Sequence, residues 1–286
     1  MRDDKLRQDL IDSYEENVEL LSNIRHGKHS RALVILSGGQ DSTTCLFWAK
    51  QVYDEVHAIT FDYGQRHKIE IDAAIKVAQM AEVDTHEIMA LPAGVLKGTS
   101  PLTDPTAELE QYENADQMDE VIGDRRELTF VPMRNALFLT IAANRATVLG
   151  GADIITGVCE MDNANYDDCR KGFIEATQEY IDMALGSDHR DDVPMLDLVT
   201  PLIFKSKAET VRLAAQLPGC WEALAYSHTS YDGKYPPTDR NHANVLRAKG
   251  FEDSGYPDPL VIRAWREGLM PLPETPNYEM VRATSR

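Results

Sequence analysis

Several features are missing from this 286-residue chain, and each absence excludes something. There is no Cys-x-x-Cys pair. The four cysteines, Cys45, Cys159, Cys169 and Cys220, are scattered and read as reduced thiols rather than a disulfide framework. No run approaches the roughly 20 apolar residues of a membrane span. The opening Met1-Arg2-Asp3-Asp4-Lys5 lacks the apolar core of a signal peptide, so a cytoplasmic protein with no membrane contact is expected. Positive charge is in short supply: 29 Lys and Arg stand against 47 Asp and Glu, a formal net charge of −18. Direct nucleic-acid binding needs a concentrated basic patch, and none is visible, which leaves a small molecule or a protein as the better substrate. Finally, there is no Gly-x-x-x-x-Gly-Lys of a Walker loop, and no Gly-x-Gly-x-x-Gly follows the first apolar run.

What is present starts with that run. Leu33-Val34-Ile35-Leu36 reads as a buried strand of a parallel sheet, and it stops at Ser37-Gly38-Gly39. Two glycines allow a tight turn and a close backbone approach by a ligand. Asp41, Ser42, Thr43 and Thr44 are candidate N-cap residues of a helix over 41–52 whose apolar face starts at Cys45. Strand, glycine turn and helix N-terminus together form an anion site.

The chain is 43% hydrophobic, enough for a substantial core. Leu6, Leu10, Tyr14, Val18 and Leu21 predict an N-terminal helix over 3–26, either packed on the domain or used as a partner contact. A second strand over 55–61 is followed by Asp62-Tyr63-Gly64-Gln65-Arg66-His67, where Arg66 is a candidate anion clamp. A helix over 68–82 and a strand over 85–90 complete β-α-β-α-β, which predicts an α/β, doubly wound parallel sheet. Residues 92–128, proline-bearing and then acidic, read as a lid over the site, with disorder as the alternative. A helix over 134–149 starts at Arg134-Asn135. A strand at 153–156 leads into a loop with Glu160, Asp162, Tyr166, Asp168 and Arg170. Carboxylates there suit the N–H donors of a guanine-like edge, and tyrosine suits stacking; the alternative is an acidic solvated loop. Lys207 in the first turn of the next helix opposes the dipole and calls for an anion, for which a phosphate is the natural choice.

Ser-Gly-Gly-Gln-Asp-Ser at 37–42 resembles the pyrophosphate loop of the PP-loop ATP pyrophosphatases. With Phe-Asp-Tyr-Gly-Gln-Arg-His at 61–67, Val-Pro-x-Arg-Asn at 131–135, Gly-Val-Cys-Glu-x-Asp at 157–162, Asp-Cys-Arg at 168–170 and Lys-Ala-Glu-Thr at 207–210, the chain is similar to the 7-cyano-7-deazaguanine synthase family over about 31–217. The resemblance implies adenylation of 7-carboxy-7-deazaguanine by ATP with Mg²⁺ and attack by ammonia to give the amide. A second ATP then activates the amide oxygen to give the nitrile. It implies that Ser37, Gly38, Gly39, Gln40, Asp41, Ser42, Thr43 and Thr60 bind ATP, and that Asp41 also helps hold Mg²⁺. Arg66, Arg134 and Lys207 balance charge at the reacting phosphates and, with Asp41, make up the implied catalytic set. Glu160, Asp162, Tyr166, Asp168 and Arg170 bind the deazaguanine acid.

The C-terminal part departs from that family. Its four zinc cysteines fall here on about Thr229, Thr238, Asn241 and Asn244, so no zinc is expected. Tyr231, Tyr235, Pro236, Pro237 and hydrogen-bonding side chains are expected to hold the segment instead. The expected organisation is an extension over 1–28, an ATP-binding domain over 29–225 and a C-terminal segment over 226–286, in a homodimer. Transfer of the activated acyl group to an amine of a partner protein, as in a phage-defence pathway, is the alternative to ammonia.

Overall fold

The computed structural model describes residues 30–284 except 67, 93, 99, 105, 162–164 and 188. The helix expected over 3–26, His67 and Asp162 lie outside the described residues.

Five parallel strands form one sheet: β1 (Arg31–Ile35), β2 (Glu55–Asp62), β3 (Thr85–Ala90), β4 (Asp153–Ile155) and β5 (Leu198–Val199), in the order β3-β2-β1-β4-β5. This is the doubly wound α/β fold, and its strand order reverses direction between β1 and β4. The central strands are sealed on both faces, so their sequences are apolar without alternation. Ala32, Leu33 and Val34 of β1 and Val56, Ala58 and Ile59 of β2 are fully or almost fully buried. β3 is the half-exposed edge.

Helices α1 (Gln40–Val52), α2 (Ile69–Met80), α4 (Arg134–Val148), α5 (Lys171–Leu185), α6 (Lys207–Gln216) and α7 (Cys220–Leu224) surround the sheet. Helix α1 begins one residue earlier than its sequence suggests. Its N-cap is Gly39, not a residue of 41–44, and no side chain caps it.

The insertion after β3 carries a helix, α3 (Ala115–Ile122), capped by the Asn114 side chain. Its Met118 and Ile122, with Tyr112, pack on Val245 and Leu246 of α8 (His242–Ser254). Leu96 and Leu102 of the same insertion join the main core.

Beyond α8 come α9 (Pro259–Arg266) and α10 (Glu279–Thr284). Arg247 ties this region together. It forms a two-pronged ion pair with Asp258, at 2.6 and 2.9 Å, and donates to Ser227 Oγ, Thr229 Oγ1 and the Leu224 carbonyl. Asp258 also accepts from Leu260 N–H at the start of α9.

Three of the four positions that the resemblance would give to zinc cysteines, Thr229, Asn241 and Asn244, are held by hydrogen bonds here. Asp239 accepts from the amides of Asn241 and Asn244 and from Ser230 Oγ, which also donates to Asp232. Thr229 Oγ1 is held by Arg247. A carboxylate hub thus does the tying that the sequence assigns partly to aromatic residues. Tyr235 does pack, with the Arg263 guanidinium 4.4 Å from its ring, but Tyr231 lines the cavity described next.

Among the described residues, no helix is long and apolar enough to cross a membrane.

Candidate active site

At the point where the sheet order reverses, the loops after β1 and β4 part and leave a crevice, the usual ligand position in such sheets. A cavity of about 300 Å³ opens there. Its floor is the 37–42 loop. Ser37 and Ser42 hydroxyls bond each other at 2.9 Å, Ser42 Oγ accepts from Ser37 N–H, and Ser37 Oγ accepts from Gly39 N–H. These bonds fix the loop before any ligand arrives. The uncapped N-terminus of α1 offers backbone N–H groups and the positive end of its dipole. Gln40 is 3% exposed and lines the cavity, and its Nε2 has no hydrogen-bond partner among the described residues. A buried donor in that state is costly until a ligand oxygen accepts from it.

Gly38 has a different reason to be glycine from the one its sequence suggests. Its φ is +86°, and a Cβ there would lie 2.3 Å from the Glu70 carbonyl oxygen of α2. The glycine lets α2 press against the loop, and Gly38 does not line the cavity. Its carbonyl accepts from His228 N–H at 2.8 Å, so the C-terminal segment supports the loop from behind. On the β4 side, a Cβ at Gly157 would sit 3.1 Å from Asp41 C and Ser42 N, which brings the β4 loop against the start of α1.

Lys207 projects from the first turn of α6 and meets Asp41 Oδ2 at 2.6 Å. The anion that the sequence assigns to phosphate is therefore, in this structure, the Asp41 carboxylate. Helix α8 crosses closely at this point, because Gly250 has no side chain: a Cβ there would be 2.6 Å from Lys207 Cβ.

The opposite wall combines the 157–170 loop with the insertion. Glu160, Tyr166 and Arg170 line the cavity, as does Arg134 at the start of α4. Glu160 Oε2 also accepts from Lys171 N–H, capping α5. Tyr166 OH meets Thr129 Oγ1 at 2.5 Å and donates to Glu127 Oε2 at 3.2 Å. Burial pushes the Tyr166 phenol well up, reinforced by Tyr231 and Glu127. Tyr63, hydrogen-bonded to Arg134, is likewise pushed up by burial, with Arg134 opposing. Asn165 donates to the carbonyls of Gly123 and Arg125, and Arg126 pairs with Asp167, so insertion and loop form one surface. Four basic side chains, Arg134, Arg170, Lys207 and Arg247, line the cavity beside three carboxylates, Asp41, Glu70 and Glu160. That concentration of cations, in a protein of net charge −18, suits an anionic ligand.

The structure does not bring every expected residue here. Ser37, Gly39, Gln40, Asp41, Ser42, Arg134, Glu160, Tyr166, Arg170 and Lys207 share the cavity; Arg66, Thr60, Thr43, Gly38 and Asp168 do not line it. Arg66 is exposed and its Nη1 donates to the Ala107 carbonyl of the insertion at 2.8 Å, so it clamps backbone there rather than an anion. Thr60 Oγ1 donates to the Leu36 carbonyl at 2.6 Å and meets His86 Nε2. Thr43 is wholly buried under the loop. Asp168 is 8% exposed and accepts from Asn135 backbone N–H, so it serves the N-terminus of α4, where no other cap is present. Burial raises its carboxyl, with Arg134 opposing.

Other cavity residues escaped the sequence reading as site residues: Tyr63, Gln65, Glu70, Tyr231 and His242. Glu127, 2% exposed behind Tyr166, also escaped it. Glu127 lies in an acidic stretch with no distinguishing spacing. Tyr63 and Gln65 stood beside Arg66 at a strand terminus, and that position was the one available signal.

The family model described as "Queuosine biosynthesis protein QueC" matches residues 31–255. The chain is 48% identical over 232 residues to the 7-cyano-7-deazaguanine synthase of Gloeobacter violaceus, covering 80% of this chain and 95% of that protein. Proteins of the same name from Chromobacterium violaceum and Laribacter hongkongensis are each 44% identical, over 83% and 85% of this chain and 95% and 98% of their own lengths. Among solved structures, an NH3-dependent NAD synthetase from Campylobacter jejuni aligns at 14% identity with a TM-score of 0.39, covering 99% of this chain and 88% of that one, a likeness too low to argue from. The match runs from the first residue of β1 through the whole cavity to the end of α8, and on that extent and identity the chain belongs to the QueC family of queuosine biosynthesis proteins.

Proposed function

We propose that this chain is an ATP-dependent enzyme that converts 7-carboxy-7-deazaguanine and ammonia into the amide and then 7-cyano-7-deazaguanine, with release of AMP and pyrophosphate. The observation that carries the reading is one cavity with two unlike walls. One is an uncapped helix N-terminus beside Asp41 and Lys207, and the other holds Glu160, Tyr166 and Arg170.

A carboxylate resists attack by ammonia because its oxygen leaves badly. ATP supplies the remedy by turning that oxygen into the bridge of an acyl phosphate, from which AMP leaves readily. The protein's task is to hold the phosphates, neutralise charge and align the two reactants. The N–H groups at the start of α1 and Gln40 Nε2 suit the phosphates. Asp41 would hold Mg²⁺, which would disperse the phosphate charge, and that engagement would leave Lys207 for a phosphate oxygen. Arg134, at the far side, suits the carboxylate or the α-phosphate as negative charge gathers. Glu160 faces the deazaguanine with an acceptor for its paired N–H donors, and Tyr166, fixed by Glu127 and Thr129, offers a ring face. The insertion contributes Leu102 to this wall and acts as the cover of the site. The C-terminal segment holds its shape through Asp239 and Arg247 without zinc.

Incubation of the protein with ATP, Mg²⁺, the acid and ammonium, followed by mass spectrometry, tests the reading. The expected products are AMP, pyrophosphate, the amide and the nitrile. Release of ADP, or no conversion of the acid, overturns it.

A further inference from the structure

We propose that His242 is a catalytic residue that seats the nucleophile: its Nε2 accepts a hydrogen bond from the attacking ammonia and takes the proton which that nitrogen sheds. This rests on the function proposed above and assigns a role to a residue that neither ATP nor deazaguanine recognition uses.

His242 is the first residue of α8, directly after its N-cap Asn241. It lines the same cavity as Asp41 and Lys207 while being only 4% exposed. Its Nε2 is shut off from solvent and has no hydrogen-bond partner among the described residues. A buried imidazole nitrogen without a partner is unfavourable, so the arrangement is relieved when a small N–H donor enters. In this structure two of the cationic donors in the cavity wall are paired with carboxylates, Lys207 with Asp41 and Arg247 with Asp258.

The surroundings also select the form of the nucleophile. Burial lowers the His242 pKa to about 4, with Lys207 acting in the same direction and Glu127 and Asp119 against it. The start of α8 adds its positive dipole end. The imidazole is therefore neutral near pH 7, and the tautomer that carries its proton on Nδ1 presents Nε2 as the acceptor this role requires. Ammonium has no lone pair with which to attack, whereas neutral ammonia, the reactive species, donates one N–H to Nε2.

The ammonia lone pair forms a C–N bond to the acyl carbon of the adenylate. The C–O bond to the phosphate breaks, and AMP leaves with that electron pair. The nitrogen, cationic in the adduct, passes one proton to Nε2, and the imidazolium later returns it to water. Negative charge on the departing phosphate draws Lys207 away and raises the proton affinity of the imidazole at the moment of transfer.

The test compares two half-reactions in the full-length protein and in His242→Gln and His242→Asn, with folding followed by circular dichroism. Adenylation is read as acid-dependent exchange of labelled pyrophosphate into ATP. The second step is read as amide formation from ammonium chloride, and as hydroxamate formation from hydroxylamine, a stronger nucleophile at lower basicity. The expected result is a fall in amide formation of about 10²–10⁴-fold. Exchange should fall at least thirtyfold less than that, and hydroxamate formation should fall less than amide formation. A parallel fall in exchange and amide formation, or amide formation within threefold of the wild type, overturns the role of His242. If the wild type shows no acid-dependent exchange, the substrate reading itself fails and the role fails with it. Either folded variant decides the matter alone.

Discussion

Lys207 and Asp41 neutralise each other at 2.6 Å, with side-chain exposures of 15% and 27%. The pair is screened enough from water for its loss to matter, and it joins the α1 loop to α6 across the cavity. Asp41→Asn should lower pyrophosphate release by 10²-fold or more, the scale of losing one preorganised charge at a phosphoryl site, while shifting the melting temperature little. Rates within threefold of the wild type would remove Asp41 from the mechanism. Glu160 has two duties, as an α5 cap and as a cavity carboxylate. Glu160→Gln keeps an oxygen for the cap but loses the charge. Calorimetric titration should show weaker binding of the deazaguanine acid, by about tenfold or more, with ATP affinity nearly unchanged. Equal losses for both ligands would count against Glu160 as the base reader. Arg247 and Asp258, 3% and 4% exposed, are a different kind of pair. Removing one partner strands a charge in the interior, so Asp258→Ala should cost about 3–5 kcal/mol in urea unfolding. A cost under 1 kcal/mol would show that water reaches the guanidinium.

At the scale of elements, the site depends on how closely helices approach. Gly250 lets α8 rest on the Lys207 backbone, where an added Cβ would meet Lys207 Cβ at 2.6 Å and its carbonyl carbon at 3.2 Å. Gly250→Ala should push α8 from α6 and displace both Lys207 and His242. We expect a loss of turnover of tenfold or more, out of proportion to any change in melting temperature. Gly172 in α5 is the control. A Cβ there meets nothing within 4 Å, and Gly172→Ala should stabilise the helix by about 0.5–1 kcal/mol with activity intact. If both substitutions behave alike, the close crossing does not position the site.

For the whole molecule, His242 makes stability depend on pH. Its pKa near 4 in the fold lies below an unfolded value of about 6.5, so the unfolded chain binds more protons between these values. The contribution is complete above about pH 6.5 and is lost as pH falls through about 4, amounting to about 3 kcal/mol at most. Burial sets most of the effect, and the charges of Glu127, Lys207 and Asp119 adjust it. Asp168 and Asp239, whose carboxyls are raised by burial, act with the opposite sign: their contributions are full at the acid end and decline as pH rises. Urea unfolding of the wild type and His242→Gln at several pH values from 4 to 7 isolates the histidine, and the wild type should lose more stability on acidification. Equal slopes would mean that the ring is solvated in solution. Metal analysis of protein purified without added metal should give far less than one zinc per chain, since Asn241 and Asn244 are bonded to Asp239. Stoichiometric, chelator-resistant zinc would contradict this.

The sheet, its parallel sense and the 37–42 loop were legible in the sequence because they are local. Apolar runs such as Leu33-Val34-Ile35-Leu36, glycine punctuation and helical spacing are set by neighbours along the chain. Helix boundaries came within a few residues for the same reason, and Gly39 took the cap because it sits extended just before the first helical bond. What the tertiary structure alone decided is which side chains meet. Arg66 and Asp168 have the right charge and motif position, yet one clamps Ala107 and the other serves the start of α4. Those partners lie tens of residues away and leave no periodic trace. His242 and Glu127 enter the site, the one lining the cavity and the other bracing Tyr166, because α8 and the insertion fold back over the sheet. Sequence carries the strength of local preferences. Burial, close approach and the pairing of distant charges exist only once the chain has closed on itself.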